Sequence, residues 1–271
     1  MKRIFLAVFI IISVASCVNK KIDNGLNVEE KNLDQAEEKV LIDNEIVDTV
    51  EPVVIEEENQ DFPATYLLDV DFASQAPDSN WELPYQEACE EAALIQAYYY
   101  FTGKELNNAL MDQEILLLVD WEQETFGLYS DTNLNEVRKI AEDYFNLEVE
   151  ISEDVSVDNI KKNLLKGNLI LAPTLGRLLD NPNFTGDGPL YHFVVIRGYD
   201  RNEFITNDVG TRNGEAYKYK YKVLQEAIHD LPNKEDGSTF RPYDEELESL
   251  EKENMMLGGE KRVLVVKGLI E

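Results

Sequence analysis

Tyr191-His192-Phe193-Val194-Val195-Ile196-Arg197-Gly198-Tyr199, then Asp200-Arg201-Asn202, then Glu203-Phe204-Ile205-Thr206-Asn207-Asp208: this stretch decides how the chain folds. Two runs rich in β-branched and aromatic residues flank a polar three-residue turn. That pattern predicts an antiparallel hairpin with strands over 191–199 and 203–207. With Tyr199 facing Glu203, His192 and Asp208 fall within one diagonal step of each other at the open end of the hairpin. Both share a sheet face, because side chains alternate with period two. Facing residues hold their Cβ atoms about 4.5–5.5 Å apart and diagonal ones roughly 7–8 Å, so a carboxylate at 208 can reach an imidazole nitrogen at 192. Such a contact fixes the tautomer and supports the imidazolium. It is also a common structural pair at a sheet end.

Outward from the hairpin, helices come first and strands later. A first strand is expected over 66–71, ending near Ser74-Gln75-Ala76-Pro77. Pro84 fits the first turn of a helix that runs to about Phe101, with Gly103 to end it. Ala88, Ala92, Ile95 and Tyr99 form an apolar stripe on that helix at 3.6-residue spacing. Further helices are expected over 106–121, over 134–145 behind a Ser130-Asp131-Thr132 cap, over 157–166 and over 223–229. Strands are expected over 147–151, 168–172, 217–221 and 262–267, with a long loop over 173–189. This order indicates an α+β domain with helices packed on an antiparallel sheet.

Reactive side chains are scarce: the chain has two cysteines and two histidines in 271 residues. Cys17 ends an export-like segment, so Cys89 is the thiol left in the folded body. Cys89 falls at a helix start, where the dipole and a neighbouring imidazolium favour thiolate. Glu87, Glu90 and Glu91 oppose that by raising the thiol pKa, which leaves most of the activation to the imidazole. His229, beside Asp230 at a helix end, reads as a surface cap, and Arg177 in the long loop suits either a surface role or contact with a substrate carboxylate. Trp81 suits either a cleft wall or ordinary packing, and Gly186-Asp187-Gly188-Pro189 either a lid or a long connection. There is no metal-ligand spacing, so neither a metal nor a cofactor is expected.

The N-terminal region has its own composition. Lys2 and Arg3, the apolar run 4–14 and the small residues Ala15-Ser16 read as a signal peptide over 1–16. The apolar run is well short of the roughly 20 residues a spanning helix needs. Val14-Ala15-Ser16-Cys17 resembles the bacterial lipobox, which implies acylation at Cys17 and a lipid anchor to a membrane; the alternative is a secreted protein cut nearby. Residues 18–61 carry fourteen Asp and Glu against four Lys and no aromatic residue. Such a segment cannot bury enough apolar surface to offset its ordering entropy, so 17–61 is expected to be an acidic disordered tether. Residues 62–271 then suit one domain. The formal charge of −29 excludes nucleic acid and anionic lipid as electrostatic partners. A monomer is expected.

Several quoted segments occur together in a known family. Gln75-Ala76-Pro77, Pro84-Tyr85-Gln86-Glu87-Ala88-Cys89-Glu90-Glu91-Ala92, the run 191–200 and Ile205-Thr206-Asn207-Asp208 resemble, in order and spacing, the bacterial double-glycine leader (bacteriocin-processing) peptidases, which are papain-like cysteine peptidases. The resemblance spans about 66–221. It implies Cys89 as nucleophile, His192 as base and then acid, and Asp208 as the orienting carboxylate. It also implies a glutamine ahead of the cysteine as side-chain donor to the oxyanion, beside the cysteine N–H. Gln75 occupies the Gln-x-Pro position but lies fourteen residues ahead; Gln86 is three residues ahead and is the alternative, expected to face away if Gln75 serves. Where the family usually has glycine after the cysteine, this chain has Glu90.

The expected activity is therefore that of an extracytoplasmic, membrane-anchored cysteine peptidase-like hydrolase acting on a peptide or protein. An amidase or transglutaminase-like acyltransferase would use the same triad. A catalytically silent, peptide-binding surface lipoprotein is the reading that Glu90 favours.

Overall fold

The structure, a computed structural model, describes residues 62–271; the expected signal peptide, the tether and Cys17 lie outside the described residues. In chain order the elements are β1 (Tyr66–Leu67), α1 (Cys89–Thr102), α2 (Asn108–Phe126), α3 (Leu134–Asp143), β2 (Leu147–Ser152), α4 (Val157–Leu165), β3 (Leu169–Thr174), β4 (His192–Tyr199), β5 (Glu203–Asp208), β6 (Tyr217–Lys220), α5 (Tyr221–Ala227), α6 (Ser249–Met256) and β7 (Val263–Leu269). The strands form one antiparallel sheet in the order β2-β7-β3-β4-β5-β6, and β1 pairs with β4. The fold is α+β, as the sequence indicates.

Every residue of β4 is buried. Its run of Phe193, Val194, Val195 and Ile196 is apolar on both faces, as a central strand must be. α1 packs against it, and the alanines Ala88, Ala92, Ala93 and Ala97 are all fully buried. Small residues let a helix approach a sheet closely. The expected stripe on α1 is accordingly too narrow: Cys89 to Ala97 are all buried, the two glutamates included. α3 conforms to expectation in position but not in its cap. Asn133, not 130–132, caps it, with the reciprocal bond from Glu136 completing a capping box.

The β4–β5 hairpin carries one irregularity that matters. Tyr199 faces Phe204 rather than Glu203, and a bulge at Arg197 restores the expected register beyond it, so that Val194 faces Asp208. His192 thus stands one diagonal step from Asp208. At Gly198 the β1 backbone comes so close that an added Cβ would lie 2.5 Å from the Tyr66 carbonyl oxygen. Only glycine fits there.

The expected strand over 66–71 stops at Leu67, and side chains take over from the ladder. Arg197 Nε donates to the Leu68 carbonyl, and its Nη1 to the Val70 carbonyl and to Asn207 Oδ1. Asn207 Nδ2 in turn donates to the Asp71 carbonyl and to Gln96 Oε1 of α1. Gln75 N then donates to the Val209 carbonyl. These bonds lay the segment 68–76 across the end of the sheet and bring Gln75 beside α1. Among the described residues, no helix is long and apolar enough to cross a membrane.

Candidate active site

Three segments converge on a cleft of about 340 Å³. The N-terminus of α1 with the turn before it supplies Cys89, Gln86 and Glu87. The ends of β4 and β5 supply His192 and Gly210, and the loops supply Gln75, Trp81, Asp131, Phe184, Arg212 and Tyr243. Pro84 starts a single 3-10 turn, Tyr85–Glu87, not the α-helix itself. Ala88, at φ −97° and ψ 32°, breaks that turn from α1, so Cys89 is the first residue of α1. The first N–H groups of a helix have no partner inside it. The Cys89 main-chain N–H therefore points out of the helix end, where an oxyanion can be received.

His192 is held on three sides. Its Nε2 lies 2.7 Å from Asp208 Oδ1. Phe184 meets the ring edge to face at 5.3 Å between centroids. Gly210 lies against the ring so closely that an added Cβ would be 2.6 Å from Cε1. Asp208 is fully buried, and its acceptors are filled: Oδ1 also takes the Gly210 N–H at 3.1 Å, and Oδ2 takes Asn181 Nδ2 at 2.9 Å and the Tyr219 hydroxyl. Burial opposes its charge, but the His192 imidazole and these donors prevail and hold its carboxyl below the usual carboxylate range. An ionised Asp208 accepts, so Nε2 carries the proton and Nδ1 keeps its lone pair. Neither Asn181 nor Tyr219 stood out in the sequence, since a loop asparagine and one of three alternating tyrosines carry no signal there.

Cys89 lines the same cleft as His192, yet its hydrogen bond goes elsewhere. Sγ donates to Glu90 Oε2 at 2.9 Å, and among the described residues it makes no hydrogen bond with the imidazole. Burial first, then the Glu90 carboxylate, push the thiol well up from its ordinary value. Glu90 is not solvated bulk beside the oxyanion. It is fully buried, with Oε1 accepting the Thr132 main-chain N–H at 2.7 Å and the Thr132 hydroxyl at 3.4 Å. Burial raises its carboxyl to about 7.

Behind Glu90 lie further buried carboxyls. Glu91 of α1 and Glu122 of α2 have no donor to any of their oxygens among the described residues, and Asp131 Oδ2 has none. Neighbouring buried carboxyls disfavour one another's ionisation, so these groups hold their protons. Burial accordingly pushes Glu91 and Asp131 well up, and Glu122 to about 8.

Both candidate glutamines line the cleft, Gln86 included. Gln86 is exposed at the cleft. Gln75 is buried, and its amide nitrogen donates to the Tyr85 and Gln86 carbonyls at 2.9 and 3.2 Å. In this conformation those carbonyls occupy the amide that would serve an oxyanion. Trp81 stands in the cleft wall. Arg177 does not reach the cleft; it pairs with Glu253 of α6 at 2.9 Å. His229 is no surface cap: it is buried, with Nδ1 at 3.2 Å from the Gly259 carbonyl, and desolvation lowers its pKa. Among the described residues no group of acidic, histidine and cysteine side chains has the geometry to hold a metal ion.

No curated protein sequence matches this chain. Among solved structures, a putative C39-like peptidase from Bacillus anthracis aligns at 15% identity with a TM-score of 0.44, covering 74% of this chain and 96% of that one. The model of the Peptidase_C39 like family matches residues 67–230, a span that contains Gln75, Cys89, His192 and Asp208. On that match over more than half its length, the chain belongs to the Peptidase_C39 like family.

Proposed function

We propose that the domain is a cysteine peptidase-like hydrolase in which Cys89 attacks a peptide carbonyl. His192 Nδ1 is the base and then the acid, and Asp208 holds the imidazole in its working tautomer. The observation that carries this reading is the buried His192–Asp208 pair opening onto the cleft that Cys89 lines from the head of α1. Attack on the carbonyl carbon by sulfur forms a tetrahedral oxyanion facing the Cys89 N–H. Collapse expels the amine, protonated by the imidazolium, and leaves a thioester. Water, deprotonated by His192, then hydrolyses the thioester and frees the thiol. A role for Gln75 at the oxyanion requires its amide to leave one of the two carbonyls it now binds. Cys89→Ala and His192→Ala should each lower peptide turnover by roughly 10³-fold or more, with folding intact. A peptide cleaved equally well by Cys89→Ala ends this reading.

The buried thiol bonded to Glu90 favours a second reading, a peptide-binding protein without turnover. Peptide bound in the cleft with no product from the unmodified protein would establish it. We also place the protein at a membrane through acylation of Cys17, on the lipobox-like sequence before it. Incorporation of labelled fatty acid that vanishes in Cys17→Ala tests that placement.

A further inference from the structure

We propose that Glu90 is a catalytic residue of this site and gates its nucleophile. Ionised, it takes the Cys89 Sγ–H and holds the residue as a thiol. Protonated, it turns the same contact round and donates Oε2–H to the thiolate. The proposal rests on the assignment of Cys89 and His192 as nucleophile and base made above.

Geometry supports both states. Oε1 is committed as an acceptor to the Thr132 N–H, so Oε2, 2.9 Å from Sγ, is the oxygen that exchanges a proton. Both residues are buried, Glu90 fully, while Cys89 still lines the cleft. The groups facing Glu90 are nearly all acidic. They are Cys89 and Glu91 on its own helix, Glu122 on α2, Tyr129 and Asp131 in the loop before α3, and Tyr191 and His192 at the head of β4. His192 is the member of this set able to carry positive charge. A second anion at Sγ is therefore strongly disfavoured while Glu90 is ionised.

In the activated state the Sγ–H bond breaks, its electron pair stays on sulfur, and the proton passes to His192 Nδ1. The proton already on Glu90 Oε2 then bridges to Sγ. After attack, the imidazolium proton goes to the leaving nitrogen as the C–N bond breaks, so Glu90 ends each cycle with the proton it began with. Glu90 ionises at about 7. Loss of that proton above neutrality returns Cys89 to the resting thiol.

The test is the rate at which iodoacetamide alkylates Cys89 in the full chain, followed by mass spectrometry of the Cys89 peptide from pH 5 to 9. An ordinary thiol reacts about tenfold faster for each unit by which the pH rises toward its pKa. Here the rate should instead pass a maximum below neutrality and fall roughly tenfold between pH 6 and 8. Glu90→Gln cannot ionise but still offers an N–H to the thiolate; it should lose the fall and react at least about tenfold faster than wild type at pH 8. A wild-type rate that climbs steadily with pH overturns the proposal, as does a Glu90→Gln profile that coincides with wild type or drops uniformly. The wild-type profile decides even if Glu90→Gln fails to fold. Because the readout is alkylation, failure to cleave any peptide would count against the hydrolase reading and leave the gate standing. Cleavage with no loss above neutrality would do the reverse.

Discussion

Asp208 Oδ1 lies 2.7 Å from His192 Nε2, and each of Asp208's carboxylate oxygens has a further donor, from Gly210, Asn181 or Tyr219. The carboxylate is thus fixed before it fixes the imidazole. Asp208→Asn would present an amide that can donate to Nε2, favouring the wrong tautomer with the geometry otherwise intact. Turnover should fall by about 10³–10⁴-fold. Tyr219→Phe removes one donor and leaves the others, so a loss of about tenfold or less is expected. Steady-state kinetics on both variants check the order; a Tyr219→Phe loss equal to that of Asp208→Asn would contradict it.

Gly210 allows the ring to sit where it does. An alanine Cβ at 2.6 Å from Cε1 must push the imidazole away from Asp208 or toward Phe184. A shift of about 1 Å at a reacting group lowers rates by roughly 10²-fold. Gly210→Ala should lose that much kcat while keeping its fold by circular dichroism. Full activity would mean that the loop after β5 yields instead of the ring.

How much of this site was legible in sequence depends on what each residue needed from distant chain. His192 and Asp208 were readable because strand alternation and one turn determine their side of the sheet, and the bulge at Arg197 absorbed the one-residue error at the turn. Cys89 was readable as a helix start, though Ala88 rather than Pro84 marks the boundary. That Glu90 and Glu91 raise the Cys89 thiol was readable from their place beside it, but their burial was not. Their neighbours in the fold include Glu122 of α2 and the loop through Thr132, the latter 42 residues from Glu90, and these leave no mark on the local pattern. α6 was missed because Ser249–Met256 has no apolar stripe; Met256 is its one buried residue, and the Arg177–Glu253 pair ties it to the loop after β3.

Charge predicts how the acidic N-terminal segment behaves toward the domain. Residues 18–61 carry a net of −10 and the domain is also acidic. Like charges repel within a Debye length of roughly 8 Å at physiological ionic strength. A chain beginning at Phe62 should melt within a few degrees of one beginning at Cys17. A drop of about ten degrees or more would instead indicate a segment that packs on the domain and covers the Cys89 cleft.

The buried carboxyls predict an unusual stability profile. Glu122 keeps its proton to about 8 and Glu90 to about 7, with Glu91 and Asp131 also raised, all chiefly by burial. In the unfolded chain these groups release their protons near the ordinary carboxylate range, about 4. Between those limits the folded state binds more protons, so its stability falls as pH rises. Asp208 has the opposite sign, but its contribution is lost only at acid pH, below the ordinary carboxylate range. His229, lowered by burial, weakens the fold only below about 6.5. The window from pH 6.5 to 8.5 therefore reports chiefly the cluster, with the raised Cys89 thiol adding in the same direction only near its upper end. The melting temperature should drop by roughly 4 °C or more across it, given about 2–4 °C per kcal/mol for a domain of this size. Glu122→Gln, which no longer ionises and can donate to Glu91, should flatten that drop. A melting temperature that holds or rises between pH 6.5 and 8.5 in the wild-type protein would mean that the cluster gains donors the structure does not contain.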